Sequence, residues 1–348
     1  MYPILEIDKS IIAGNTRRLV QMCSQHGIEV TAVTKVVMGD AAIASIFVDN
    51  GIARIADSRI PNLAKLAGIN AEKWLIRTPM ISEAPQVVEL ADVSLNAEIS
   101  VLHALDDSAK KQSKIHKVIL MLDLGDLREG YFRKEELESV AGFVQSSSNL
   151  ELYGIGANLA CLNFALPDTE KMGELLGIAS KLGVNLVSAG NSASLDLMLA
   201  GGMPSGINNL RLGESLLFGR ERARFKYLDG TRNDAFILKA EVIELKEKPS
   251  APWGEIGVDS YGRKAVFVDK GIRKRAILAL GKQDTDIETM WPVDPGIEII
   301  GASGDHLIVD VAQACRDVFV GAVMPFRLGY YALLRAYTSP FVNRVYLN

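Results

Sequence analysis

A lysine stands at the end of an apolar strand pattern in residues 31–40, TAVTKVVMGD. Lys35 follows EVTAVT and precedes three apolar residues, so its ammonium group is expected in poorly hydrated surroundings. A poorly hydrated lysine loses its proton more easily and becomes a nucleophile that can form a Schiff base with a carbonyl compound. Lys35 is therefore a candidate for covalent chemistry, although a lysine in this position can also serve only in an ion pair.

Polar and charged residues follow the other apolar strand patterns of the first two thirds of the chain. They stand where each strand is expected to end: Asp57, Arg59, Arg77, Asn96, Asp123, Arg128, Asn158, Asn191, Ser192 and Arg211. Taken alone, Asp57, Arg77 and Asn96 are equally typical of a solvated surface loop. Together they would form a ring at one end of a parallel barrel, which is the kind of site that binds a charged small molecule.

Two late segments predict a phosphate site. SAGNSASLDLM places Asn191 and Ser192 between a strand and a short helix, and NNLRLGESLLFG places Gly213 at the next strand end before another helix. Loops that follow the last two strands of a barrel and lead into helix N-termini are where barrels hold phosphate. The ligand of the ring is therefore expected to carry a phosphate group.

The elements that must position these residues alternate regularly. Strand patterns occupy residues 29–35, 53–58, 73–79, 92–96, 117–125, 152–158, 185–191 and 209–213, and helix patterns occupy residues 8–26, 40–50, 59–68, 83–90, 97–112, 133–146 and 167–182. Eight nearly continuous apolar strands, each leading into a helix, predict an α/β fold with an N-terminal (β/α)8 TIM barrel over residues 1–227. An open doubly wound sheet is the alternative, which the count of eight disfavours.

The pattern changes after about residue 225. Short strand patterns are separated by Gly, Pro and Asp in FILKAEVIELKEKP, KAVFVDKG, KRAILALG, GIEIIGA, HLIVDVAQA and VMPFRLGYYALLRA. This alternation predicts a C-terminal, mostly antiparallel β-domain over residues 228–348. The polar and basic segment 218–234 is expected to connect the two domains.

Composition excludes several functional classes. The 348 residues are 48% hydrophobic and carry a net charge of −4 with no basic block, which argues against a nucleic-acid partner. No apolar run is long enough to span a membrane, and the first residues do not read as a signal peptide. Cys23, Cys161 and Cys315 are too far apart to suggest a disulfide framework or a metal site, which favours a cytoplasmic location.

Five short segments resemble those of a known enzyme family. They are VTKVVMG, MLDLGDLREGYF, SAGNSAS, LRLGESLLFG and GYYALLRAYTSP. They are similar to segments of the pyridoxal-phosphate enzymes of the alanine racemase fold (fold type III), and most similar to the alanine/ornithine racemase-like branch. The resemblance extends from LEIDKSIIAGN to LLRAYTSPFVNRVY and so covers essentially the whole chain.

The resemblance implies a cofactor and the residues that hold it. Lys35 would form the Schiff base with pyridoxal 5'-phosphate, and Arg128 would contact the phenolic oxygen of the cofactor and the carboxylate of the substrate. The other implied cofactor-binding residues are Asn158, Asn191, Ser192, Arg211, Gly213, Glu214 and Tyr330. Tyr331 is the alternative to Tyr330, and Asn158 stands where alanine racemases carry a histidine.

The resemblance also implies an amino-acid racemase that moves the Cα proton with two bases. Lys35 would serve one face of the substrate. The tyrosine that alanine racemases bring from the partner subunit is missing in ILALGKQDTD, where Lys282 stands nearest, and GASGDHLIVDV offers Asp305 and His306 instead. The expected assembly is a head-to-tail homodimer, and the expected substrate is a basic amino acid such as ornithine or lysine, or alanine.

Three alternatives stay open at this point. The first is an amino-acid decarboxylase or a D-amino-acid lyase on the same fold, although His306 and Cys315, nine positions apart, do not suggest a zinc pair. The second is a non-catalytic pyridoxal-phosphate-binding barrel, which would not need the residues after 228. The third is a barrel that uses Lys35 as a Schiff-base lysine without a cofactor.

Overall fold

The predicted parallel barrel is present in the computed structural model, which describes residues 1–258, 262, 264 and 266–348. Strand β1 (Ile4–Asp8) and helix α1 (Lys9–Ser24) precede the barrel. Eight parallel strands then close in sequence order: β2 (Glu29–Val33), β3 (Arg54–Asp57), β4 (Glu72–Leu75), β5 (Val93–Asn96), β6 (His116–Leu122), β7 (Leu150–Ala157), β8 (Leu186–Ala189) and β9 (Asn209–Leu212). Because β9 pairs with β2, with Arg211 beside Thr31, the sheet is closed and the open doubly wound alternative is wrong.

Helices follow the strands as the sequence predicts. They are α2 (Ala41–Asp49), α3 (Ile60–Lys65), α4 (Ala84–Leu90), α5 (Ile99–Lys111), α6 (Lys134–Ser146), α7 (Thr169–Leu182), α8 (Ser194–Leu199) and α9 (Glu214–Phe218). Two of them begin at an aspartate whose carboxylate accepts free helix N–H groups: Asp40 accepts from the Ala42 amide at 3.0 Å, and Asp168 from the Lys171 amide at 2.8 Å. No helix in the described part of the chain is both long and apolar enough to cross a membrane.

The interior of the barrel has an apolar side and a polar side. The apolar side is a cluster contributed by β2 to β6: Val33, Ala56, Trp74, Val93, Leu95, Ile119 and Met121. On the other side, the Ser188 hydroxyl donates to Asn209 Oδ1 at 2.5 Å, and Asn209 Nδ2 donates to Thr31 Oγ1 at 2.9 Å. This division leaves room for a polar group inside the barrel near β8 and β9.

The second unit combines residues Met1–Asp8 with Phe236–Asn348. Its further strands are β10 (Phe236–Pro249), β11 (Ile272–Ala279), β12 (Met290–Pro292), β13 (Glu298–Ala302), β14 (His306–Asp310), β15 (Val323–Leu328) and β16 (Asn343–Leu347). Six of them follow the order β12-β15-β10-β11-β14-β13 with antiparallel pairing, while β1 pairs antiparallel with β10 and parallel with β16. The predicted mostly antiparallel β-domain is confirmed.

One segment of this unit is a helix and not the predicted strand. The part YYALLRA of VMPFRLGYYALLRA lies in helix α10 (Tyr330–Thr338), which follows β15. Its buried residues are Ala332, Leu333, Ala336 and Tyr337, which recur at the spacing of one helix face. The strand prediction was wrong because a short apolar run does not distinguish the two periods.

A buried histidine connects two barrel strands. His116 at the start of β6 is 2% exposed, and its Nε2 lies 2.8 Å from the Ser94 hydroxyl on β5. Ser94 Oγ also accepts from Asn96 Nδ2 at 3.0 Å, so its own proton is available to a neutral imidazole. Burial, with a smaller effect of the nearby Lys114 charge, lowers the pKa of His116 to about 4.

This lowered pKa predicts a loss of stability in mild acid. Between the ordinary pKa of 6.5 and about 4, the unfolded chain binds a proton at His116 that the folded protein does not bind. The free energy of unfolding therefore falls as the pH falls through this range, by up to about 3 kcal/mol. Urea unfolding of the wild type and of His116→Gln measures this loss of stability. The pH is varied in steps from about 7 to about 4, so that the series covers both pKa values.

The substitution His116→Gln should remove this part of the pH dependence. The exposed His26 provides the matched control, since His26→Gln should keep the wild-type dependence. A His116→Gln protein that loses as much stability in acid as the wild type would contradict the prediction.

Candidate active site

Lys35 begins a 3₁₀ turn, Lys35–Val37, directly after β2. The lysine is exposed, so the expectation of a poorly hydrated side chain was wrong. The strand ends two residues before Lys35, and the turn that follows brings the side chain out at the carboxyl end of the barrel. The turn closes at Met38, whose φ of 52° lies in the left-handed region.

Asp57 supports this turn from inside the protein. Its Oδ2 accepts from the hydroxyl of Thr34 at 2.8 Å, and its Oδ1 accepts from Asn62 Nδ2 and the Arg59 amide, each at 3.0 Å. Burial raises the pKa of the fully buried Asp57, while these hydrogen bonds oppose the rise. Asp57 therefore fixes the residue before Lys35 and does not face a ligand as a member of the predicted ring.

Arg211 on β9 extends into the polar side of the barrel and is 3% exposed. Nη1 donates to the backbone oxygen and the hydroxyl of Ser188 at 3.0 and 2.5 Å, and Nη2 donates to the Ala157 oxygen at 2.8 Å. Burial lowers the pKa of Arg211 to about 10, which leaves the guanidinium protonated at neutral pH. Nε is the guanidinium nitrogen for which the described residues provide no acceptor.

A chain of hydrogen bonds connects Arg211 to the rim. Nη2 of Arg211 also donates to Asn158 Oδ1 at 2.6 Å, and Asn158 Nδ2 donates to Glu129 Oε1 at 2.5 Å. The same carboxylate oxygen accepts from Arg128 Nη2 at 2.8 Å. The structure thus brings together three predicted site residues, Arg128, Asn158 and Arg211, through a glutamate that sequence reasoning missed.

Asp126 ties together the two loops that carry this chain. Its carboxylate is 1% exposed and accepts from the amides of Cys161, Leu162 and Ala165 at 3.1, 2.9 and 3.3 Å. Its backbone oxygen accepts from Asn163 Nδ2 at 2.8 Å. These hydrogen bonds hold the loop after β6 against the loop after β7, which brings Glu129 close to Asn158.

The thiol of Cys161 lies near two of the predicted site residues that carry a positive charge. Burial raises the pKa of Cys161, and the nearby positive charges of Arg128 and Lys35 oppose the rise. The thiol also accepts from Asn191 Nδ2 at 3.1 Å. Lys35, Arg128 and Asn191 thus all lie near Cys161 at the carboxyl end of the barrel.

The two predicted phosphate loops contact each other. Ser192 after β8 is 3% exposed, its hydroxyl lies 3.1 Å from that of Ser215, and it accepts from the Ser215 amide at 3.2 Å. Gly213 precedes α9 and packs against β2, since a Cβ there would lie 3.2 Å from the Val33 oxygen. The loops supply hydroxyl and amide donors of the kind that bind phosphate oxygens.

The side chain of Glu214 has another role. Its Oε1 accepts from Nε and Nη2 of Arg220 at 2.9 and 2.7 Å, and Arg222 lies 3.6 Å from Oε2. The carboxylate thereby holds the segment that follows α9.

Several predicted ring members do not join this cluster. Asp123 accepts from the amides of Gly125 and Leu127 and so shapes its own loop. Arg77 pairs with Glu83 at 2.9 Å, and Asn96 donates to Ser94 inside the protein. No group of three or more His, Cys, Asp or Glu side chains among residues 1–258, 262, 264 and 266–348 is arranged to hold a metal ion.

The two candidates for the opposite base lie near each other in the second unit: Lys282 stands in the turn after β11, and His306 begins β14 after the turn that follows β13. The Lys282 amide donates to the Ser303 oxygen at 2.9 Å, and the Ser303 hydroxyl lies 3.4 Å from Nδ1 of His306. Arg335 of α10 donates to the backbone oxygen of Lys282. The turns approach so closely that a Cβ at Gly281 would lie 1.8 Å from the Gly304 oxygen.

Tyr330, the predicted phosphate ligand, lies at the start of α10 in the same unit. Its ring stacks edge to face on that of Tyr331, with 5.4 Å between the centroids. Tyr331 is 60% exposed and Tyr330 is half-buried. The two tyrosines of the doublet therefore differ in burial, although both remain in contact.

Sequence reasoning missed four residues that build the site: Asp126, Glu129, Ser188 and Ser215. Glu129 follows Arg128 directly, a pattern that usually indicates a solvated ion pair. Ser188 of β8 stands beside Asn209 of β9 and accepts from Arg211, and strand alternation was the signal that would have found it.

Comparison with known proteins identifies the family. The family model described as "Alanine racemase, N-terminal domain" matches residues 7–221. The chain is 44% identical to the ornithine racemase of Acetoanaerobium sticklandii and 41% identical to the lysine racemase of Thermotoga maritima, in each case over 99% of both chains. Both relatives are racemases, which are isomerases.

Solved structures agree on the fold. The alanine racemase of Bartonella henselae, determined with covalently bound pyridoxal phosphate, superposes with a TM-score of 0.76 over 100% of both chains at 17% sequence identity. A likeness at this identity concerns the fold, whereas the match to the family model and the two full-length relatives concern the family. This protein therefore belongs to the alanine racemase family.

Proposed function

We propose that this protein is a pyridoxal-phosphate-dependent racemase that interconverts the L and D forms of a basic amino acid such as ornithine or lysine. The observation that carries the proposal is the meeting of three donor types at one end of the barrel. These are the exposed Lys35 amine, the buried Arg211 guanidinium and the hydroxyl and amide groups around Ser192. The ornithine and lysine racemases at 44% and 41% identity support the substrate class.

The residues present fit pyridoxal phosphate. A primary amine is needed for the aldehyde, and Lys35 supplies it on a fixed turn. Ser192 and the amides that follow Gly213 form a set of neutral donors suited to a phosphate group, which Tyr330 would complete. Arg211 retains one guanidinium nitrogen without an acceptor among the described residues, suited to a ring nitrogen.

The chemistry that pyridoxal phosphate supplies when bound is an electron sink for the α-carbon of the substrate. Arg211 cannot accept a proton at neutral pH, so it acts only as a donor. A ring nitrogen facing it would stay unprotonated, and the sink would be weaker. A weak sink suits brief removal and return of one proton at Cα.

Racemisation needs a proton carrier on each face of the α-carbon. The Lys35 amine takes and returns the proton on one face. The opposite carrier is Lys282 or His306, brought by the partner subunit in a head-to-tail homodimer. Arg128, held by Glu129, orients the substrate by binding its carboxylate.

The purified protein should be yellow and should lose that colour on treatment with borohydride. The reduced cofactor should then be found by peptide mass spectrometry on the peptide that contains Lys35. The variant Lys35→Ala should lower racemisation by a factor on the order of 10³, because it lacks both the attachment point and one proton carrier. Lys110→Ala, at an exposed position of α5, is the matched control and should behave like the wild type. A colourless protein that cannot be reconstituted would refute the cofactor assignment.

L-ornithine and L-lysine should each be converted to an equal mixture of both enantiomers. Their kcat/KM should be at least tenfold above that for L-alanine, because the side-chain ammonium of these substrates would bind a polar group of the site that alanine cannot reach. Chiral chromatography measures the enantiomers. Proton NMR in D2O should show that the Cα–H signal disappears while the total amino acid stays constant. Loss of the amino acid with release of carbon dioxide or ammonia would instead indicate a decarboxylase or a lyase, and a yellow protein that changes none of the substrates would indicate a non-catalytic binder.

Removal of the opposite carrier should separate exchange from inversion. One of the variants Lys282→Gln and His306→Gln should lower racemisation on the order of 10²- to 10⁴-fold, the usual contribution of a positioned acid or base. In D2O, Lys35 should still exchange the Cα–H of one enantiomer with retention of configuration. His26→Gln serves as the control for histidine removal. If both variants racemise at the wild-type rate, neither residue is the carrier.

Co-expression of Lys35→Ala with that inactive variant tests the shared site. Half of randomly assembled dimers carry both chains, and each then has one intact site if the carrier comes from the partner, so roughly a quarter of the wild-type activity should return. No recovery in co-assembled dimers, or a fully active monomer, would contradict the proposed assembly.

A further inference from the structure

Asn158 lies between a group that can only donate and a group that can only accept. The Arg211 guanidinium donates to its Oδ1 at 2.6 Å, and the Glu129 carboxylate accepts from its Nδ2 at 2.5 Å. A rotation of the amide by half a turn would place its NH2 against the guanidinium and its oxygen against the carboxylate. Both contacts would then be repulsive, so only one orientation of the amide satisfies both neighbours.

Glu129 also provides the negative charge between two arginines. Its Oε1 accepts from Arg128 at 2.8 Å, and its charge favours the protonated form of Arg211. The other acceptors of Arg211, Ser188 and Ala157, are neutral. Among the described residues, Glu129 is the carboxylate whose charge acts on this buried guanidinium.

We propose that Glu129 is a positioning residue of the racemase site: it fixes the orientation of the Asn158 amide and, through it, the place of Arg211. The proposal rests on the proposed function, because Arg211 matters to the reaction only if it faces the cofactor. Arg128 is held by the same carboxylate, so one side chain aligns the groups that would meet the ring nitrogen and the substrate carboxylate.

A plain ion pair at the surface would behave differently. The Glu129 side chain is 20% exposed and its neighbour Arg128 is 37% exposed, values that alone fit such a pair. Exposed pairs contribute little, and their loss does not reach buried groups. The contact with Asn158 distinguishes the two cases, because it passes the effect of the carboxylate to a residue inside the barrel.

The experiment compares Glu129→Gln with Glu138→Gln. The first keeps the shape of the side chain and removes its charge. The second removes the charge of a carboxylate that pairs with Lys181 at the protein surface, away from the chain of hydrogen bonds. Glu129→Asp, which keeps the charge on a shorter side chain, should recover part of the lost function.

We expect Glu129→Gln to lower kcat about ten- to hundredfold, the usual effect of losing a hydrogen bond to a charged group. The absorption maximum of the bound cofactor should shift, since the guanidinium that faces the ring changes its surroundings. In protein labelled with ¹⁵N-asparagine, the side-chain amide signal of Asn158, assigned by its loss in Asn158→Gln, should move. Glu138→Gln should leave all three unchanged.

An unchanged Asn158 signal in Glu129→Gln would overturn the proposal, and so would an absorption maximum and a kcat equal to those of Glu138→Gln. The amide signal is measured without cofactor, so it tests the Glu129–Asn158 contact even if the protein proves not to bind pyridoxal phosphate. If Glu129→Gln does not fold, as judged by circular dichroism, the same comparison is made with Glu129→Asp, whose shortened reach should move the Asn158 signal.

Discussion

The buried guanidinium of Arg211 is the constraint on which this end of the barrel depends. A charge this deep in a protein is tolerated only when hydrogen-bond acceptors surround it. Ser188 and Ala157 supply neutral acceptors. Gly156 leaves the necessary room, because a Cβ there would lie 3.0 Å from the Ser188 oxygen and 3.5 Å from Nη1 of Arg211. The barrel interior is consequently polar near β8 and β9 and apolar along β2 to β6.

The same constraint extends to the loops at the barrel end. The acceptor nearest the rim is Asn158, whose amide must in turn donate, and Glu129 receives that hydrogen bond. The two residues can meet because Asp126 binds three amides of the loop after β7. Arg128 is then held by a carboxylate that already has a fixed place. One buried charge thus determines the arrangement of side chains on two separate loops.

The sequence predicted those parts of the structure that follow from local patterns. Eight apolar strands close into a barrel, and the ends of β2 and β7 place Lys35 and Asn158 at its carboxyl end, where Asn158 accepts from the buried Arg211 of β9. The exposure of Lys35 was mispredicted because β2 ends at Val33, a boundary that apolar content does not show. The role of Glu129 depends on a residue 29 positions away, and the pairing of β1 with β16 joins chain ends, so no local pattern indicates either contact.

The second unit has no tyrosine at the place where alanine racemases carry the opposite base. What matters for a replacement is where the backbone places the side chain, more than which residue type it is. Gly281 and Gly304 let two turns touch backbone to backbone, since a Cβ at Gly281 would lie 1.8 Å from the Gly304 oxygen. Lys282 follows the first glycine, and its amide is bonded to Ser303, whose hydroxyl lies near the His306 ring. Under the proposed function a proton must be returned to a defined face of the substrate, and backbone segments held this closely would give the two candidate side chains fixed starting points. The two candidates then differ in reach and chemistry, a long flexible amine in Lys282 and a rigid imidazole in His306.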